Sequence, residues 1–186
     1  SKQSRGLGDV YKRQLLSHLL PSNTAASQVG VYGAYYKLSI IMTLFIQTFR
    51  FAAEPFFFAQ EKEHNAKKIY ADIMKFFTII TSTIFLTVMI YYDLVEQFIG
   101  EDFHDSRGLV VVPVLLFANL FLGIYYNISV WFKLTEKTRF GAYLALFGAV
   151  ITLALNFALI PSLGFEGSAW ATLICYFSMT VASYFI

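Results

Sequence analysis

The sequence predicts an all-α fold, a polytopic transmembrane helix bundle of about five spans. Three observations carry that expectation. Five apolar stretches of about 20 residues follow one another after residue 28, each long enough for a hydrocarbon core about 30 Å thick. Hydrophobic residues fill 57% of the 186 positions and charged ones only 14%, where a soluble domain carries roughly 25% charged residues. The charges that remain are bunched between the apolar stretches. Such a chain cannot clothe itself as a water-soluble globule, and it is neither a disordered tail nor, with Cys175 alone, a disulfide scaffold.

Residues 1–14, SKQSRGLGDVYKRQ, differ in composition from everything after them. No apolar core of a signal peptide follows them. The string resembles a translated sequencing-adaptor scar, with a short basic tail as the alternative, and is set aside as a leader. The bundle is assigned to 15–186. It is expected to be truncated at both ends, because the chain opens on Ser1 and stops at Ile186 inside an apolar run.

The predicted spans are about 30–53, 69–92, 109–132 and 140–160, with a fifth from about Ser168. Aromatic residues near their ends (Tyr91, Tyr92, Trp131, Phe132, Trp170) suit the membrane–water interface. Runs of this length exceed a buried strand, so each is predicted helical. Pro55 is expected to kink or end the first helix, since it donates no bond to the carbonyl of Phe51. Connections of seven to about sixteen residues predict antiparallel neighbours in an up-down bundle and leave no room for a separate soluble domain.

Loop charge predicts orientation. Segment 60–68 holds Lys62, Lys67 and Lys68, and segment 133–139 holds Lys133, Lys137 and Arg139. Segment 93–108 sets Arg107 against five acids, and 161–167 has no Lys or Arg. By the positive-inside rule, 60–68 and 133–139 are expected on the cytoplasmic side and 93–108 and 161–167 on the periplasmic side. The formal net charge of +2 says nothing about nucleic acid. Residues 1–14 contribute four basic groups and one acid, leaving 10 basic and 11 acidic groups in the remaining 172 residues.

No catalytic constellation is expected, nor any cofactor or metal site. His18, His64 and His104 fall in different loops on opposite sides. The chain lacks a P-loop, a GxSxG and a CxxC. The acids Glu101, Asp102 and Asp105 beside His104 read as a solvated loop, and Cys175 as a small buried packing residue.

Polar residues inside spans are more informative, because a charge at mid-membrane costs about 2.5–3.5 kcal/mol on insertion scales. At about 100° per residue, Tyr36, Thr43, Gln47, Arg50 and Glu54 fall in one stripe about 60° wide. Arg50 and Glu54 are spaced to pair. The stripe reads either as a cavity lining or as ending in an interfacial ion pair, since Arg50 lies about 30 Å along the helix from Val31. Lys37 lies off the stripe and is expected to snorkel. Asn119, Asn127 and Asn156 are candidates for hydrogen bonds across helices or for the same cavity.

The strings VGVYGAYYKLSIIMTLFIQTFRFAAEPFFFAQ, IYADIMKFF, VVVPVLLFANLFLGIYYNISVWFKLTEKTRFGAY and LNFALIPSLGFEGSAWATLICY resemble, in order, the C-terminal half of bacterial polysaccharide (O-antigen-type) flippases. The nearest likeness is to polysaccharide biosynthesis proteins of the Bacteroidetes type, within the multidrug/oligosaccharidyl-lipid/polysaccharide exporter superfamily. The resemblance implies a non-enzymatic transporter of 12 to 14 helices in the bacterial inner membrane, a lipopolysaccharide-pathway component. It implies flipping of a lipid-linked oligosaccharide by alternating access, coupled to a proton or sodium gradient, with membrane lipids around it and no nucleic acid. Its cavity candidates here are Tyr36, Thr43, Gln47, Arg50, Glu54, Asn119, Asn127 and Asn156, with Arg50 placed to meet a pyrophosphate. A drug exporter of the same superfamily, a polymerase or glycosyltransferase of polysaccharide assembly, and a purely structural bundle are the alternatives.

Overall fold

A computed structural model describes residues 14–15, 19, 22–100, 103–105 and 107–186. The leader up to residue 13, His18, Glu101 and Asp102 lie outside the described residues. Long apolar runs leave every backbone N–H and C=O without water, and only a helix satisfies them within its own segment. Among the described residues six helices with stated bounds follow: α1 Ser22–Gln60, α2 Ala66–Ile90, the short α3 Tyr92–Glu96, α4 Gly108–Leu134, α5 Thr138–Leu163 and α6 Phe165–Phe185. The chain is an all-α bundle of the membrane type.

Among the described residues four helices, α1 from Ala26 together with α2, α4 and α5, are long and apolar enough to cross a membrane. The fifth expected span corresponds to α6. At 21 residues α6 has the length, but Glu166, Ser168, Thr172, Ser178, Thr180 and Ser183 dilute its apolarity. Those small polar side chains face protein instead. Ser168, Thr172, Thr180 and Ser183 are all buried.

Pro55 does not end the first helix. α1 runs 39 residues and carries Pro55 inside it. The turn beyond the proline is held from α2, where Tyr70 donates its hydroxyl to the Phe57 carbonyl at 2.9 Å. The two rings also meet edge to face with centroids 5.0 Å apart. Tertiary contacts thus offset the backbone bond that proline removes.

α4 is the hub, buried along its length through Val111, Val112, Leu115, Leu116, Ala118 and Leu120. It runs parallel to α1 and α6 and antiparallel to α2. The register with α1 brings Tyr35 to Asp105, Ile46 to Gly123, Arg50 to Tyr126 and Glu54 to Lys133. With α6, Arg107 meets Phe165 and Phe121 meets Phe177. Rings of α2 fill between the other two, with Phe77 4.7 Å from Phe49 and Phe85 6.0 Å from Phe117. The expected packing of consecutive helices is modified here. α4 and α5 touch little, because α6 lies against both and forms the most extensive interfaces of the bundle with them.

α5 shows why. Its buried positions Leu144, Gly148, Asn156 and Ile160 form a single stripe every fourth or eighth residue. Tyr143, Leu146, Val150 and Phe157 on its other faces are exposed. Gly164 alone joins α5 to α6, at φ 62° and ψ −139°, a conformation open essentially only to glycine.

A candidate anion site at the basic end

From Tyr35 to Glu54 is 19 residues, or about 28 Å of helix, close to the thickness of a hydrocarbon core. Two polar clusters sit at the two ends of this interval. At the end carrying the basic loops, the Arg50 guanidinium lies 3.8 Å from the Glu54 carboxylate on the same helix. Lys133, in the last turn of α4, donates to the other oxygen of Glu54. The Arg50 guanidinium also lies 4.6 Å above the centre of the Tyr126 ring, a cation–π contact. Two cations therefore share one carboxylate between α1 and α4, and a positive charge is left over.

These groups stand where the helix packing puts them. The face of α1 buried against the bundle runs through Tyr35, Ser39, Met42 and Ile46, and the polar stripe lies beside it. Tyr36, Thr43, Gln47 and Glu54 are half-buried, and the Arg50 side chain is 43% exposed. Thr43 donates to the Ser39 carbonyl, 3.3 Å away on its own helix, and Tyr36 packs its ring 6.0 Å from that of Tyr32. The space enclosed beside Arg50, Glu54, Tyr126 and Asn127 is about 10 Å³, room for one water and no substrate.

The asparagines divide. Asn127 borders this space and donates to the carbonyl of Gly123 at 3.0 Å. Asn119 is buried farther along α4. Asn156 is fully buried in the α5 stripe and donates to Thr152 at 2.7 Å, with its Oδ1 unpaired. The bonds of Asn127 and Asn156 thus return to their own helices rather than crossing. The crossing bonds come instead from α6: Thr180 to the Phe121 carbonyl at 2.9 Å, and the buried Cys175 thiol to the Gly148 carbonyl at 3.2 Å.

The opposite end holds a network that the spacing did not reveal. The Tyr35 hydroxyl lies 3.0 Å from Glu96 Oε1 and 2.9 Å from the Asp105 carbonyl, and accepts the Asp105 N–H at 2.9 Å. Asp105 in turn grips Arg107 through both carboxylate oxygens, at 2.7 Å and 3.0 Å. The Arg107 guanidinium lies 4.4 Å over the Phe165 ring of α6. Asp105 is therefore not a solvated loop acid. The hydrogen bonds from Arg107 hold its carboxyl below the usual aspartate value. Burial, then the nearby Glu96, pushes the Tyr92 phenol well above the ordinary tyrosine range, so it stays neutral. His104 makes a contact of 3.2 Å with the Ile99 carbonyl, and His64 lies at the other end of the bundle.

Sequence reasoning reached Arg50 and Glu54 but missed Lys133 and Tyr126, because their approach depends on the α1–α4 register. A lysine in the last turn of a span adjoining a basic loop was the available signal. Comparison with protein-family models, with curated proteins and with solved structures finds no match to this chain.

Proposed function

We propose that the chain belongs to a transporter that flips a lipid-linked oligosaccharide across a bacterial inner membrane, with its basic loops cytoplasmic. The observation that carries this reading is the Arg50–Glu54–Lys133 cluster, where two cations share one carboxylate at the end of the bundle that carries the basic loops. A guanidinium offers paired donors to phosphate oxygens, and a lysine adds a point charge. The resemblance of the spans to polysaccharide flippases supplies the substrate class.

A drug exporter would need a free acid for a cationic substrate. Glu54 is the only acid of the stripe and already faces two cations, which favours the anionic substrate. In cells that depend on the protein for surface polysaccharide, Arg50→Ala is expected to abolish that polysaccharide while membrane abundance is unchanged. Normal polysaccharide with Arg50→Ala would remove this site from the mechanism.

A further inference from the structure

Resting on the reading of the basic cluster as an anion site, we propose that Glu54 is a tethered competitor for the anion. It holds the two cations while the site is empty and returns to them to expel a bound phosphate. The two oxygens of Glu54 are divided between cations on two helices. Oε2 faces Arg50 Nε at 3.8 Å, and Oε1 accepts from Lys133. A phosphate bridging Arg50 and Lys133 through two of its oxygens would make the same two contacts. The carboxylate therefore stands where the ligand's own oxygens would go.

Space makes the two exclusive. The volume enclosed beside the cluster is about 10 Å³, so a phosphate fits between the cations only after the carboxylate leaves. Little holds the carboxylate in. Its 3.8 Å contact with Arg50 is too long for a hydrogen bond. Among the described residues its one hydrogen bond is the one from Lys133. The Glu54 side chain is 29% exposed, and rotation about its own bonds carries it to the surface without moving a helix. The cations keep their places without it. Arg50 also lies over the Tyr126 ring, and Lys133 sits in the last turn of α4, where the helix dipole favours a positive charge. Glu54 is the only acid bordering the enclosed space among the described residues. A carboxylate on so short a tether competes at an effective concentration on the order of millimolar. Pairs this exposed are individually weak. Glu54 therefore lowers the affinity for phosphate without blocking the site.

Calorimetric titration of farnesyl pyrophosphate into the full chain in a nonionic detergent tests this, with Arg50→Ala, Glu54→Gln and Glu54→Ala beside the unaltered protein. Both Glu54 variants are expected to bind about fivefold more tightly than the unaltered protein, the gain from removing one part-exposed competitor. Acetate in place of chloride at equal ionic strength is expected to return Glu54→Ala toward the original affinity, because a free carboxylate then fills the vacated place. Tighter binding that acetate leaves untouched would assign the gain to net charge alone and overturn the proposal. Binding unchanged or weakened in both Glu54 variants, yet still lost in Arg50→Ala, would overturn the competitor and leave the anion site standing. Binding absent from the unaltered protein, or indifferent to Arg50→Ala, would overturn the anion site and the competitor with it.

Discussion

Tyr35 shows what one residue can fix in this bundle. Its ring is fully buried and its hydroxyl joins the Glu96 side chain to both backbone groups of Asp105. The loop 93–108 is thereby tied to α1. Tyr35→Phe keeps the ring but leaves the Asp105 N–H without its acceptor, for an expected loss of about 1–3 kcal/mol in thermal unfolding in detergent. The neighbouring Asp105–Arg107 pair adds a pH dependence. Because the folded carboxyl titrates below its ordinary value of 3.8, the stabilisation is present above that value. It fades as pH falls through the lower folded value. Arg107→Gln should flatten the acid limb of the melting profile, and an unchanged limb would detach the pair from stability. The Arg107 and Asp105 side chains are 42% and 21% exposed, respectively, so the effect is modest.

At the scale of the elements, most of the fold was legible and the site only half so. Apolar length located α2, α4 and α5 to within about three residues at each end, because a helix of about 20 apolar residues has no other solvent than lipid. By contrast, α1 runs on to Gln60, past its expected end near residue 53. At Pro55 the pattern left a kink or an end open, and the helix continues past it, held by the Phe57–Tyr70 contact with α2. The pattern concealed α6's role. Hydropathy averages over faces, whereas Ser168, Thr172 and Thr180 matter by the face they occupy. Likewise the i, i+4 spacing disclosed Arg50–Glu54, but Lys133 is 79 residues away from Glu54 in the chain. Glycines test this level. At Gly164 a Cβ would meet both a forbidding φ of 62° and Gln28 Oε1 at 2.6 Å; Gly164→Ala is expected to cost about 1–3 kcal/mol or more. At Gly141 a Cβ meets nothing within 4 Å, so Gly141→Ala inside α5 should be neutral or gain up to about 1 kcal/mol. Equal melting temperatures for the two variants would contradict the described hairpin.

For the whole molecule, polarity separates along the membrane normal. One end carries the Arg50–Glu54–Lys133 cluster with its unshared positive charge, and the other carries the Tyr35–Glu96–Asp105–Arg107 network. Apolar packing through Met42, Ile46, Phe77 and Leu115 fills the interval. A phosphate-headed lipid approaching the basic end would meet two cations already gathered on one carboxylate. Transport would then require their contacts to be exchanged as the substrate passes. The most direct measurement is translocation of a radiolabelled lipid-pyrophosphate oligosaccharide in vesicles containing the protein, scored by its exposure to an external glycosidase. Protein-dependent exposure that drops at least tenfold in Arg50→Ala, with equal protein in the vesicles, is the predicted result. Exposure that is independent of the protein, or undiminished by Arg50→Ala, would contradict it.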